Sequence, residues 1–273
     1  LDTRNPQRST APRPEAVLLS IVTIVRNDSP GLERTRASIA AQTGFRDFEW
    51  LIVDGASTDG TAQLAQAYEE TYVSAVSAPD DGIFDAMNKG LERAVGTFVV
   101  FLNAGDTFAH SGVLGRVAAA LAADDIDFLY GDSLEAFGGS RLSYKAAQGH
   151  QRVNYGMFGC HQGMYYRRSL IGAQRYDPRF RIAGDYCFTA QFLTKNPRIL
   201  RLHEALCIFD LTGASVRSKR RGREENWRVQ RDVLGLSLPR RLMVRGAYLC
   251  SAFLSGRFPA LYKYLRFREA NVD

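Results

Sequence analysis

Two aspartates in this chain each stand at or shortly after the end of a run of apolar residues. Asp54 closes EWLIVD (49–54), and Asp106 comes four residues after the apolar TFVVFL (97–102). A carboxylate at the end of a buried strand can accept hydrogen bonds from a nucleotide base or ribose. It can also hold Mg2+ or Mn2+, since hard divalent ions take oxygen ligands and bridge diphosphates. Asp is equally a common turn and cap residue, and either position alone reads as well that way. Their recurrence after two apolar runs favours a site. Other polar groups stand at comparable places: Arg26 and Asn27 after the first apolar run, and Asn103 beside Asp106 after the last.

The elements that must position these groups alternate. VLLSIVTIV (17–25) is the near-continuous β-branched run of a strand buried on both faces. Ser29-Pro30 opens a helix that carries Leu32 and Ile39 and ends near Gly44. The strand at 49–54 leads into GASTDGT, where Ser57 or Thr58 is the expected cap of a second helix, and a third strand is expected at 72–77. A helix follows with Ile83, Phe84, Met87, Leu91 and Val95 at helical spacing, and then the strand 97–102. Such alternation with short connections predicts an α/β, doubly wound, Rossmann-type sheet, in which ligands sit beyond the carboxyl ends of the strands. Beyond it the pattern is mixed: a helix at 113–121, a strand at 126–130, glycines at 137–140, a strand at 163–166, a helix at 185–195, strand material at 199–209, and helix from 223 on with breaks at Pro239 and near 256–259.

The composition, 45% hydrophobic and 11% aromatic over 273 residues, suits a sizeable globular core. Residues 1–16 have almost nothing to bury and read as a disordered tail. Four cysteines with no C-x-x-C pair read as thiols in a reducing cytosol. With no secretory leader pattern and no run of eighteen apolar residues, the expectation is a soluble or peripheral, cytoplasmic protein. Charge is uneven: from Val216 on there are 14 Lys+Arg against 5 Asp+Glu, whereas the preceding residues carry 21 against 24. A basic C-terminal region on a slightly acidic body points to an anionic partner.

SIVTIVRN, EWLIVDGASTDGT and PDDGIFDAMNKGLERAVGTFVVFLNAGD, in that order and spacing, resemble the family 2 glycosyltransferases of the GT-A fold. Within that family they are most similar to bacterial enzymes of exopolysaccharide and colanic-acid-type polymer assembly. The likeness covers about 18–215 and is most specific up to Asp106. It implies a GT-A domain over 17–215, followed by a basic helical region over 216–273. It also implies that Val25 and Arg26 line a nucleotide pocket, that Asp54 faces the base, and that Asp81, Asn88 and Lys89 lie near nucleotide and diphosphate. The family's metal motif has two or three acids; here only Asp106 remains, with Asn103 a neutral neighbour. The resemblance thus implies Asp106 as ligand of a divalent metal, Mn2+ or Mg2+. The segment 181–186 resembles the one that carries the family's catalytic base, which points to Asp185. His161 is expected near the acceptor site or diphosphate.

The implied reaction is inverting transfer from a UDP- or GDP-sugar donor to a glycan or lipid-diphosphate-linked acceptor. The basic C-terminal helix, with Leu242, Leu249 and Phe253 among its arginines, can make a peripheral contact with the inner face of the plasma membrane. No nucleic acid is expected as partner: strand-end carboxylates repel phosphates, and no nucleic-acid module is visible. A nucleotidyltransferase would place a glycine-rich basic loop after the first strand, where this chain has RNDSP. A nucleotide-sugar binder that has lost catalysis is the remaining alternative.

Overall fold

The computed structural model describes residues 17–123, 125–136, 142–210 and 219–258. In chain order the elements are β1 (Leu19–Val25), α1 (Ser29–Ala40), β2 (Phe48–Asp54), α2 (Thr61–Gln66), β3 (Val73–Ser77), α3 (Ile83–Arg93), β4 (Phe98–Phe101), β5 (Thr107–Phe108), α4 (Val113–Ala123), β6 (Phe128–Ala136), β7 (Leu142–Lys145), β8 (Met164–Arg167), α5 (Arg168–Ile171), α6 (Gly184–Leu193), β9 (Ile199–Asp210), α7 (Lys219–Asp232) and α8 (Leu238–Arg257). The expected tail, the glycine stretch at 137–140 and the basic residues 216–218 lie outside the described residues.

The strands form one mixed sheet in the order β3-β2-β1-β4-β8-β6-β9-β5, with β7 paired to β6. The first four strands are parallel. From β1 the chain winds outward through β2 to β3, then returns to place β4 on the other side of β1. That reversal opens a crevice at the carboxyl ends of β1 and β4, where open α/β sheets bind ligands. β8 runs antiparallel to both β4 and β6, which ends the doubly wound half of the sheet.

Side chains of β1 alternate between two cores, as the two-residue strand period requires. Val22 and Ile24 join α3 (Phe84, Met87, Leu91), α6 (Tyr186, Phe188, Phe192) and Val229 of α7. Leu19, Ile21 and Val25 join Leu32 and Ile39 of α1 and Val113, Leu114 and Val117 of α4. The second core also holds Trp50, whose indole N–H donates to Thr23 Oγ1 at 2.8 Å, so a ring that needs a buried partner has one.

Three expectations need adjustment. α2 starts at Thr61 with Asp59 accepting from its backbone N–H, because Ser57 is turned back to Asp54. β6 runs on to Ala136, well past the expected end at Tyr130. Its second half carries buried Asp132 and Glu135, which are satisfied by Tyr144 and Lys145 of β7 and so break the apolar pattern without breaking the strand. The break expected at Pro239 lies just before it, at 233–237: α7 ends at Asp232, α8 starts at Leu238, and Pro239 lies in the first turn of α8, where a missing N–H costs nothing.

Candidate active site

The site forms where the carboxyl ends of β1, β2 and β4 meet α6 and the one-turn 3-10 helix His161–Gly163. Val25 and Asp54 are register partners at the ends of β1 and β2. Asp54 is buried, and its carboxylate accepts from Ser57 N–H at 2.9 Å, Ser77 Oγ at 2.6 Å and the Ser57 hydroxyl. Asn27, with φ of 51°, ties this end together: its N–H donates to Ser57 Oγ at 2.7 Å and its side chain accepts from Thr58 N–H at 2.8 Å. Arg26 is exposed beside this turn.

The loop before α3 forms a second wall. The Asp81 carbonyl accepts from the Arg181 guanidinium at 2.6 Å, and Lys89 Nζ donates to the Pro79 carbonyl at 2.6 Å while pairing with Asp85 at 2.8 Å. Asn88 serves a different end. Its amide donates to the Tyr176 carbonyl at 2.9 Å and accepts from the Tyr176 N–H at 2.7 Å. This holds Tyr176 in a stack between Phe84 and Phe188, with centroids 5.5 and 4.3 Å apart, and so ties α3 to α6.

The turn 103–106 is organised by a residue that the sequence gives no reason to select. Thr35, buried in α1, donates toward the carbonyls of Asp106 and Asn103 at 2.8 and 3.3 Å, and accepts from Gly105 N–H at 3.1 Å. Gly105 turns the chain at φ of 92°, a region open to glycine at little cost. Asp106 is buried, and its Oδ2 accepts from the Gln162 side chain at 2.7 Å. Gln162 is itself fully buried and accepts from the Cys160 thiol. Only its place beside His161 hinted at this role.

His161 bridges the two halves of the cluster. Its Nδ1 stands 3.3 Å from Asp185 Oδ2, and its Nε2 stands 3.5 Å from the Asn103 amide nitrogen. Asp185 lies in the first turn of α6, and its Oδ1 is buried without a hydrogen-bond partner. Burial pushes the Asp185 carboxyl above its ordinary value, against the pull of His161. The N-terminus of α6 sits close on α3, since a Cβ at Gly184 would stand 2.4 Å from the Phe84 ring. Only glycine permits that approach.

Among the described residues no group of three or more His, Cys, Asp or Glu is arranged to hold a metal ion. Asp106 and the buried Asn103 Oδ1, which has no hydrogen-bond partner, are both hard oxygen donors. The pair fits Mn2+ or Mg2+ once a diphosphate supplies the remaining ligands, and makes a weak site by itself.

The mixed sheet, parallel from β3 to β4 and antiparallel at β8, is that of the GT-A fold. The glycosyl transferase family 2 model matches residues 20–192, and the chain belongs to that family. It is 32% identical over 190 residues to the PGL/p-HBAD biosynthesis glycosyltransferase of Mycobacterium tuberculosis, covering 68% of this chain and 73% of that one. Among solved structures it resembles S. aureus TarS 1-349 in complex with UDP-GlcNAc (TM-score 0.66, 18% identity, 92% of this chain and 76% of that chain). It also resembles the mannosyltransferase PcManGT from Pyrobaculum calidifontis in complex with GDP-Man and Mn2+ (TM-score 0.59, 14% identity, 92% and 84%). At these identities the two structures speak to the fold.

Proposed function

We propose that this chain inverts configuration as it transfers a hexose-type sugar from a UDP- or GDP-sugar to a hydroxyl of a lipid-linked, cell-surface glycan. Asp185 carries the reading: a carboxylate with one oxygen held toward His161 and the other buried without a partner is a base awaiting a proton donor. The acceptor oxygen attacks the anomeric carbon as Asp185 Oδ1 takes its proton. The bond from that carbon to the diphosphate oxygen breaks on the opposite face, and the nucleoside diphosphate leaves. Val25, Arg26 and Asp54 face base and ribose; Asp81 and Lys89 border the diphosphate; Asn88 fixes the wall behind them; His161 and Asn103 lie between donor and base. Asp106 with Asn103 would hold Mn2+ or Mg2+, which supplies charge stabilisation to the leaving diphosphate when bound. The mycobacterial relative's name supports glycosyl transfer in a biosynthetic route, and the UDP-GlcNAc and GDP-Man complexes support the donor class.

The direct test is calorimetric titration of UDP and of GDP, each with and without Mn2+. Metal-dependent binding of one nucleotide is expected and would name the donor; binding of neither would end the reading.

The membrane contact belongs to the same proposal. α8 packs inward through Val244, its exposed Tyr248 donates to the Tyr155 carbonyl, and Arg241 stacks 4.6 Å over Trp227 of α7. Leu238, Leu242, Leu249 and Phe253, spaced four, seven and four residues apart, form one exposed stripe, each more than half exposed. With Arg245 beside it at helical spacing, the stripe suits a helix lying in an anionic bilayer interface. No helix among the described residues is long and apolar enough to cross a membrane. The protein is expected to sediment with phosphatidylglycerol vesicles at low salt and to be released at about 1 M salt, where charges are screened within roughly 3 Å. Leu242→Glu with Leu249→Glu should abolish sedimentation; a double variant that still sediments would remove α8 from the contact.

A further inference from the structure

α7 lies beyond the stretch matched by the family, yet it carries one of the most heavily engaged acids in the molecule. Glu225, 3% exposed, accepts from three successive backbone N–H groups: Arg181 (3.1 Å to each carboxylate oxygen), Ile182 (2.8 Å) and Ala183 (2.8 Å). Arg221, one turn earlier on α7, donates to the same carboxylate at 2.9 Å. Burial alone would push the Glu225 carboxyl up, but the bonds from Ala183, Ile182, Arg221 and Arg181 outweigh it and hold it below its ordinary value. A buried charge is held here by donors that converge on it.

The segment so held is the lead-in to Asp185. Ala183 immediately precedes α6, and Asp185 is the second residue of that helix. The same segment reaches the donor side, because the Arg181 guanidinium donates to the Asp81 carbonyl and lies 2.8 Å from where a Cβ on Gly82 would be. Glu225 therefore grips one short stretch of backbone that touches the loop 79–82 with one side chain and presents Asp185 with another. We infer that Glu225 is a positioning residue for sugar transfer, and that α7 is a working part of the site which sets Asp185 against the donor. This rests on the transferase reading above.

The test uses the 273-residue chain and its Glu225→Gln variant. Glutamine keeps the shape but turns an amide N–H2 toward backbone donors. Nucleoside diphosphate release from UDP-GlcNAc or GDP-mannose with Mn2+, whichever the wild-type protein turns over, is followed together with hydrogen exchange at 181–183. The expected result is a kcat lower by about 10- to 100-fold, the cost of misplacing a reacting group by roughly 1 Å. The donor KM should stay within about twofold, and the amides of 181–183 should exchange faster. Glu225→Asp, which restores the charge one methylene short, should recover part of kcat. A wild-type kcat, or a loss carried by KM, overturns the proposal. If Glu225→Gln does not fold, Glu225→Asp gives the same reading: kcat reduced at constant KM supports the role, and unchanged kcat overturns it. A wild-type chain that binds neither nucleotide fails at the transferase reading. A wild-type chain that binds and turns over donor, with the Glu225→Gln variant equally fast, fails only here.

Discussion

Asp185→Asn is expected to lower sugar transfer by about a thousandfold, the middle of the range for loss of a general base, while nucleotide affinity stays near wild type. The asparagine fills the same volume beside His161 but cannot take the acceptor proton. The pH dependence should carry the same signature. Burial raises the Asp185 carboxyl above its ordinary value, and the base works only when ionised. The acidic limb of kcat/KM should therefore lie above the usual carboxylate range, with rate climbing as pH rises through it. Stability runs the other way. A group whose folded pKa is raised stabilises the fold below its unfolded value, and that contribution is lost as pH rises through the folded value. Where it is ionised, the Asp185 carboxylate thus costs stability. Above that folded value Asp185→Asn should therefore melt at a higher temperature than wild type. Transfer at the wild-type rate, or an acidic limb at the ordinary carboxylate value, would remove Asp185 from the role of base.

Asp106→Ala should abolish the metal-dependent part of nucleotide binding. In Mn2+ the affinity for the cognate nucleotide is expected to fall at least about tenfold, at the lower end for disruption of a metal site. Without metal, variant and wild type should bind alike and weakly. The contrast arises because Asp106 is the single acid of its turn and the neighbouring Asn103 oxygen is neutral. Titration calorimetry of both proteins, with and without Mn2+, measures all four affinities. Equal Mn2+ dependence in the two proteins would move the metal to other ligands.

The parallel half of the fold was legible because each strand is an apolar run ending in polar residues. β1, β2 and β4 lie within two residues of their expected places, and so does the start of α1 at Ser29-Pro30. The mixed half was harder to read because its strands carry buried charge: the Asp132 and Glu135 that end the apolar pattern of β6 are inside the protein, held by partners from β7. The strand-end groups Asp54, Asn103 and Asp106 were legible from position alone, and Asp185 through resemblance. Thr35, Gln162 and Glu225 were not. Each acts through tertiary contacts 42 to 71 residues distant in sequence, and nothing local to a helical threonine or glutamate announces such a partner. Asn88 was legible as a polar residue of α3, but its commitment to the Tyr176 backbone, 88 residues away, was not.

The placement of β5 has a consequence for how the chain acquires its site during synthesis. β4 lies in the middle of the sheet, yet the strand that follows it within six residues is at the far edge, paired with Cys207 and Ile208 of β9. The turn bearing Asn103 and Asp106 is strung between the two. The four parallel strands have all been made once β4 ends at Phe101. The far anchor of the turn does not exist until β9 has been made, and pairing across such a separation is slow. The turn is thus held early on one side only, by Thr35 of α1, and gains its second anchor when β9 has been made.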